Sequence, residues 1–115
     1  MSSLQDLTAK VVAFRDAREW KQFHNPKDCA LSLVLEAGEL LEIFQWKNGD
    51  EIDATAVARR QDVADELADI FNWLLLIAHD QGIDLAQALT DKIAVNDRKY
   101  PADKAKGTSR KYTEL

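Results

Sequence analysis

One cysteine, Cys29, is all this chain has, so no internal disulfide can brace it; it falls at an apolar helical position, which points to a buried, unreactive thiol. Basic charge is also scarce. Fifteen Lys and Arg against twenty Asp and Glu leave a net charge of −5, which argues against a general binder of nucleic-acid backbones. The longest apolar run, Trp73 to Ala78, is far too short to span a bilayer, and no β alternation appears anywhere. The opening Met1-Ser2-Ser3-Leu4-Gln5-Asp6 lacks the basic and apolar blocks of a signal peptide. A soluble cytoplasmic protein, without membrane or nucleic acid among its partners, is the expectation.

What the chain does have is apolar helical periodicity. Its 115 residues, 46% of them apolar, suit one domain with a core and equally suit a subunit of an oligomer. Leu4, Leu7, Val11 and Phe14 predict an amphipathic helix from about Ser3, a candidate N-cap, to about Trp20. Pro26 suits the first turn of a second helix over about 27–46, which ends before Asn48-Gly49. Asn48 to Thr55 reads as a polar connection. A third helix is expected from about Ala56 to His79, stopped near Gly82, and a fourth from about Asp84 to Lys99, stopped by Pro101. Four helices with short connections make an all-α, four-helix bundle the economical architecture. The domain is expected over 1–101, with 102–115 a mobile basic tail carrying Lys104, Lys106, Arg110 and Lys111.

The third predicted helix is apolar on more than one side. Val63, Leu67, Ile70, Leu74 and Ile77 form one stripe, Asp62, Glu66, Asp69 and Trp73 the next, and Ala64, Phe71, Leu75 and Ala78 a further arc. Three neighbours in a small bundle would not cover so much of one helix, so at least a homodimer is expected.

Two acidic pairs lie inside such apolar runs, Glu36-x-x-Glu39 and Glu66-x-x-Asp69. A three-residue helical step turns about 300° and climbs roughly 4.5 Å, so each pair projects from one face as a two-carboxylate clamp. Spacing alone proves little, because twenty acids give six such pairs here where about three would arise by chance. The neighbours discriminate. Leu31 to Phe44 and Ile70 to Ile77 are apolar enough to be largely buried, whereas Asp16/Glu19 and Asp50/Asp53 read as solvated surface, as do Asp62 and Asp65.

Two opposed clamps would gather four negative charges. Like charges about 4 Å apart repel by roughly 4 kcal/mol at an effective dielectric near 20, so the cluster calls for cations. Di-iron bundles use Glu-x-x-His, and neither His24 nor His79 stands three residues after a glutamate. An all-oxygen set selects hard ions, Mg²⁺ or in its place Mn²⁺, and Mg²⁺ commonly bridges carboxylates to substrate phosphates. Metal-assisted phosphoanhydride hydrolysis is the natural chemistry.

Four motifs in order then carry a resemblance: Arg18-Glu19-Trp20-Lys21-Gln22-Phe23-His24-Asn25-Pro26-Lys27; Leu35-Glu36-Ala37-Gly38-Glu39-Leu40-Leu41-Glu42-Ile43-Phe44-Gln45-Trp46; Asp65-Glu66-Leu67-Ala68-Asp69-Ile70; and Asn96-Asp97-Arg98-Lys99-Tyr100-Pro101. Over about 4–101 the chain resembles the MazG-like nucleotide pyrophosphohydrolases, most nearly the dCTP pyrophosphatase branch. The resemblance implies an all-α, Mg²⁺-dependent enzyme that cuts a (deoxy)nucleoside triphosphate into the monophosphate and pyrophosphate, assembled as a dimer or dimer of dimers. It implies Glu36, Glu39, Glu66 and Asp69 as metal ligands, and Trp20, His24, Trp46 and Trp73 as lining of the nucleotide pocket. Related dCTP enzymes often have histidine where this chain has Val11 and tyrosine where it has Trp73, which leaves room for other dNTPs.

Of the acidic residues, Glu39 is favoured over Glu36 to take a proton from the attacking water. Asn96, Arg98, Lys99 and Tyr100 are candidates for phosphate contacts, Arg98 as a planar fork and Lys99 as a point charge. Without the motifs, Trp46 and Trp73 would read as core, His24 as part of a turn, and His79 as a favourable charge at a helix end. The rival of another class is a non-catalytic helical module that senses a nucleotide or binds a partner without turnover.

Overall fold

The computed structural model describes residues 3–115, which are all-α, with six α-helices and two short 3-10 turns among them. The chain divides into two compact units, one ending at Gly82 and the other beginning at Ile83.

The first unit holds α1 (Leu4–Ala17), α2 (Pro26–Phe44), α3 (Asp50–Ala58) and α4 (Arg60–Gln81). Ser3 starts α1 by a reciprocal cap: its hydroxyl accepts the Asp6 N–H at 3.1 Å, and the Asp6 carboxylate accepts the Ser3 N–H at 3.3 Å. The helix stops at Ala17, earlier than its apolar spacing suggests, because Arg18 caps it and Glu19 turns into the left-handed region at φ 55°. A 3-10 turn, Lys21–Phe23, leads to Asn25, whose side chain accepts the Asp28 N–H at 2.9 Å and caps α2, with Pro26 at the first helical position as expected.

The segment Asn48 to Thr55 is not the connection its polarity suggests: α3 is helical from Asp50. Asp50, Glu51 and Asp53 fall in the first turn, where negative charge is favoured by the helix dipole, so the same acids that look like a solvated loop promote a helix start. The expected third helix is accordingly two, broken at Arg59 (φ −111°, ψ 32°). α4 ends at Gly82 in the left-handed conformation (φ 68°), its N–H donating to the carbonyls of Ala78 and His79.

The principal contact of this unit is α2 along α4, with α1 also packed on α4. Cys29, Ile43, Leu75, Leu76 and Ala78 are buried in its core, and so is the side chain of Arg15. The clamp-bearing segments are not buried all round, contrary to the sequence reading. Leu31, Val34, Leu35 and Leu41 of α2 and Leu67, Phe71 and Leu74 of α4 are exposed, while Leu75 and Ala78, expected on the surplus arc, are covered within the chain. The reason is directional. On α2 the exposed residues and Gly38 lie on the side opposite Cys29, Glu36 and Ile43, and α4 covers only that second side.

The second unit holds α5 (Leu85–Lys99), capped by Asp84 accepting the Gln87 N–H at 3.0 Å, and the single turn α6 (Ala102–Ala105). Within the stretch expected to be a mobile tail, Ala102–Ala105 is helical and the Tyr112 ring meets Tyr100 edge-on, with centroids 5.9 Å apart. No described helix is long and apolar enough to cross a membrane.

Candidate metal centre and nucleotide pocket

The pairing of α2 with α4 brings both carboxylates of the first clamp to Glu66 of the second. Glu36, Glu39 and Glu66 each place a carboxylate oxygen within 4.8 Å of the others. Glu36 and Glu66 each have one oxygen, Oε2, that is buried and has no hydrogen-bond partner. An unpaired buried acceptor carrying charge is expensive and normally implies an unseen partner. The Glu36 carboxyl is pushed up to about 7, first by burial, then by proton sharing with Glu39 and by the charges of Glu39, Asp69 and Glu66. Glu66 is also raised, by desolvation first and then by Glu39. Three carboxylates with no neutralising base among their partners fit a hard divalent cation by donor chemistry and by their orphaned oxygens. Asp69 lies outside the three-residue cluster, although its charge reaches Glu36 and Glu66.

The aromatic candidates are placed differently from one another. His24 packs edge-on against Trp73, centroids 5.2 Å apart, one turn beyond Asp69 on α4. Trp20 is half-exposed and meets Phe14 at 5.9 Å and the Arg18 guanidinium at 5.8 Å. Trp46, just past the end of α2, is 80% exposed, so within one chain it is not core, the reading it would have without the motifs. Asn96, Arg98 and Lys99 form the last turn of α5 and Tyr100 its C-cap; the Lys99 ammonium sits 5.0 Å from the centre of the Tyr112 ring.

Sequence reasoning missed one feature. Arg15, 2% exposed, donates to both oxygens of Asp80, at 2.7 and 2.9 Å, joining the end of α1 to the end of α4. Each partner stabilises the other's charge: the hydrogen bond to Asp80 holds the guanidinium above its usual pKa, and Arg15 holds the Asp80 carboxyl below its own. The signal available was one basic residue on α1 whose place continues toward the apolar stripe Leu4, Leu7, Val11, but charge in a helical pattern ordinarily means surface.

The chain also resembles known proteins. The family described as MazG-like matches residues 31–115. Among curated proteins, the human dCTP pyrophosphatase 1 is 40% identical over 98% of this chain and 68% of its own length, and the mouse dCTP pyrophosphatase 1 is 36% identical over the same shares. The crystal structure of a pyrophosphatase from Archaeoglobus fulgidus superposes with a TM-score of 0.83 at 34% identity, covering 88% of this chain and 94% of that one. The all-α fold is thus shared with a known pyrophosphatase structure, and this chain is a member of the MazG-like family.

Proposed function

We propose that this chain is a cytoplasmic, Mg²⁺-dependent nucleoside triphosphate pyrophosphohydrolase that converts dCTP, and other dNTPs as well, to the monophosphate and pyrophosphate, removing them from the nucleotide pool. The observation that supports it most is the cluster of Glu36, Glu39 and Glu66 with two buried oxygens lacking partners, within the residues that match the MazG-like family. The curated relatives bear the name dCTP pyrophosphatase 1, which is the ground for putting dCTP first.

Glu36, Glu39, Glu66 and Asp69 are the residues that would hold Mg²⁺, with Mn²⁺ as substitute. When bound, the ion supplies neutralisation and polarisation of the triphosphate. Glu36 and Glu66 hold the orphaned oxygens and are the fixed walls of the centre; Glu39 is exposed, and so is the carboxylate best reached by the attacking water whose proton it takes. His24 and Trp73, with Trp20 and Trp46, offer ring faces and edges to base and sugar; the Trp73 indole donates one hydrogen bond and accepts none, which suits a looser base preference than a phenol would give. Asn96, Arg98, Lys99 and Tyr100 are proposed as phosphate contacts on donor chemistry and the resemblance alone.

The assembly is proposed as a homodimer or dimer of dimers. Leu31, Val34, Leu35 and Leu41 on one face of α2 are exposed, and covering such side chains contributes roughly 1.5–3 kcal/mol each at full burial. Gly38 lies among them, and a side chain there would meet nothing in its own chain. Mid-helix glycine costs about 1 kcal/mol relative to alanine, so close approach by a second helix is a reason for it.

Incubation with each dNTP and Mg²⁺, followed by separation of products, tests the reaction. Monophosphate with pyrophosphate is expected. Diphosphate with orthophosphate would mean the reaction class is wrong, and unchanged triphosphate despite tight binding would favour a non-catalytic nucleotide sensor.

A further inference from the structure

The segment between α1 and α2 is strained and thinly supported. Glu19 is the one non-glycine among the described residues with a positive φ, 55°, a conformation that costs energy for an L-residue and persists where its surroundings impose it. Between the segment and α4 lies a small, partly open pocket of about 100 Å³ bordered by Lys21, His24, Cys29 and Asp80. The His24 Nδ1 atom is buried without a partner, leaving its edge contact with Trp73 to orient the ring.

Arg15 holds this segment from both ends of its own residue. Its backbone carbonyl accepts the N–H groups of Arg18, at 3.2 Å, and Trp20, at 3.1 Å, on either side of the strained Glu19. Its guanidinium is fixed by two bonds to Asp80 on α4, the helix that also carries Trp73. A backbone that holds the turn and a side chain that fixes that backbone to α4 together set where Trp20 and His24 stand relative to Trp73. Burial and the nearby Arg15 charge also hold His24 below its ordinary pKa, which keeps the imidazole neutral against the indole.

We infer that the Arg15–Asp80 pair is a positioning latch: it touches no nucleotide, but holds the Arg18–His24 segment so that Trp20 and His24 are preset for binding. This rests on the nucleotide reading of the site, and its test separates the two. Replacing both partners by apolar residues of similar size removes the latch without leaving a buried charge unpaired, so Arg15→Met/Asp80→Leu is the variant most apt to keep the fold. Amide hydrogen exchange in residues 18–24 is expected to rise at least about tenfold with protection in α2 and α4 unchanged. The KM for dCTP is expected to rise about tenfold with kcat within about threefold, because binding geometry and not the carboxylate centre is disturbed.

A cooperatively melting variant with exchange in 18–24 within twofold of wild type overturns the latch. Faster exchange with unchanged KM overturns its role in binding, and so does a raised KM with unchanged exchange. Should the double variant not fold, Asp80→Asn is read by the same criteria; loss of fold there too would mean that the pair holds the whole bundle and not the segment. Absence of dNTP turnover by the wild-type protein would remove the functional reading, while the exchange result still decides whether the segment is latched.

Discussion

Two sets of charge meet on α4 and are treated in opposite ways. Near its C-terminal end Asp80 meets Arg15 in a two-bonded pair that satisfies both oxygens. Farther back, Glu66 faces Glu36 and Glu39 with no base, and two oxygens are left without partners. The first arrangement sets opposite charges together, leaving the Arg15 Nε without a partner, and lowers the Asp80 pKa; the second sets like charges together and raises those of Glu36 and Glu66. The sign of the neighbouring charge, opposite in one set and like in the other, separates the two.

Substitution should divide the two regions. Glu39→Gln keeps size and removes the charge of a proposed ligand, and is expected to lower dCTP turnover by about a thousandfold, equivalent to about 4 kcal/mol in the barrier, with a melting curve no lower than wild type. More than about a tenth of the activity remaining would contradict its place at the centre. Arg15→Ala is expected to act through stability: it strands the Asp80 carboxylate and should cost about 3 kcal/mol in a denaturant titration. A loss under about 1 kcal/mol would put that pair with ordinary surface bridges.

The pH dependence sharpens the contrast. Glu36 has a folded pKa of about 7 against an ordinary 4.5, so its protonation favours the folded state fully below the ordinary value and that contribution is lost as pH rises through about 7. Metal-free protein should therefore lose about 1–2 kcal/mol between about pH 5 and pH 8, the figure being reduced for solvent screening. Mg²⁺ should restore stability at the upper pH, where it no longer competes with protons. A melting temperature flat across that range without metal would remove the electrostatic reading. Asp80 works the other way, its contribution fading only in acid, as pH falls through its depressed pKa.

The smallest effect belongs to a region incomplete in apolar terms. Gly38→Ala should stabilise an isolated chain by up to about 1 kcal/mol, but weaken association if a second copy packs there. A shift toward smaller species in sedimentation, with helix content kept, is the expected outcome; a monomer at all concentrations for the wild type would refute the assembly.

Much of this was legible in the sequence. Ser3, Pro26, Gly82 and Pro101 mark helix limits through local chemistry that needs no tertiary context. Glu36, Glu39 and Glu66 could be picked out among six acidic pairs by their apolar flanks, although several of those flanking residues are exposed and Asp69 lies outside the cluster. Three things were hidden. The start of α3 was masked because acids favour both loops and helix N-termini, and the exposed face of α2 because periodicity does not say which apolar side finds a partner. The third was the buried Arg15, whose pairing with Asp80 spans sixty-five residues of sequence.

Glu66, Asp69, Trp73 and Asp80 share a single rod, α4. Their offsets of three, seven and fourteen residues keep all four within about 60° of one another around its axis, over about 21 Å of length. Lengthening or shortening that rod by one residue between Asp69 and Trp73 would swing everything beyond it by about 100°, parting the carboxylates from both the indole and the ion pair at one stroke. Descendants of this helix can therefore vary letter by letter, while insertions and deletions must be confined to its ends.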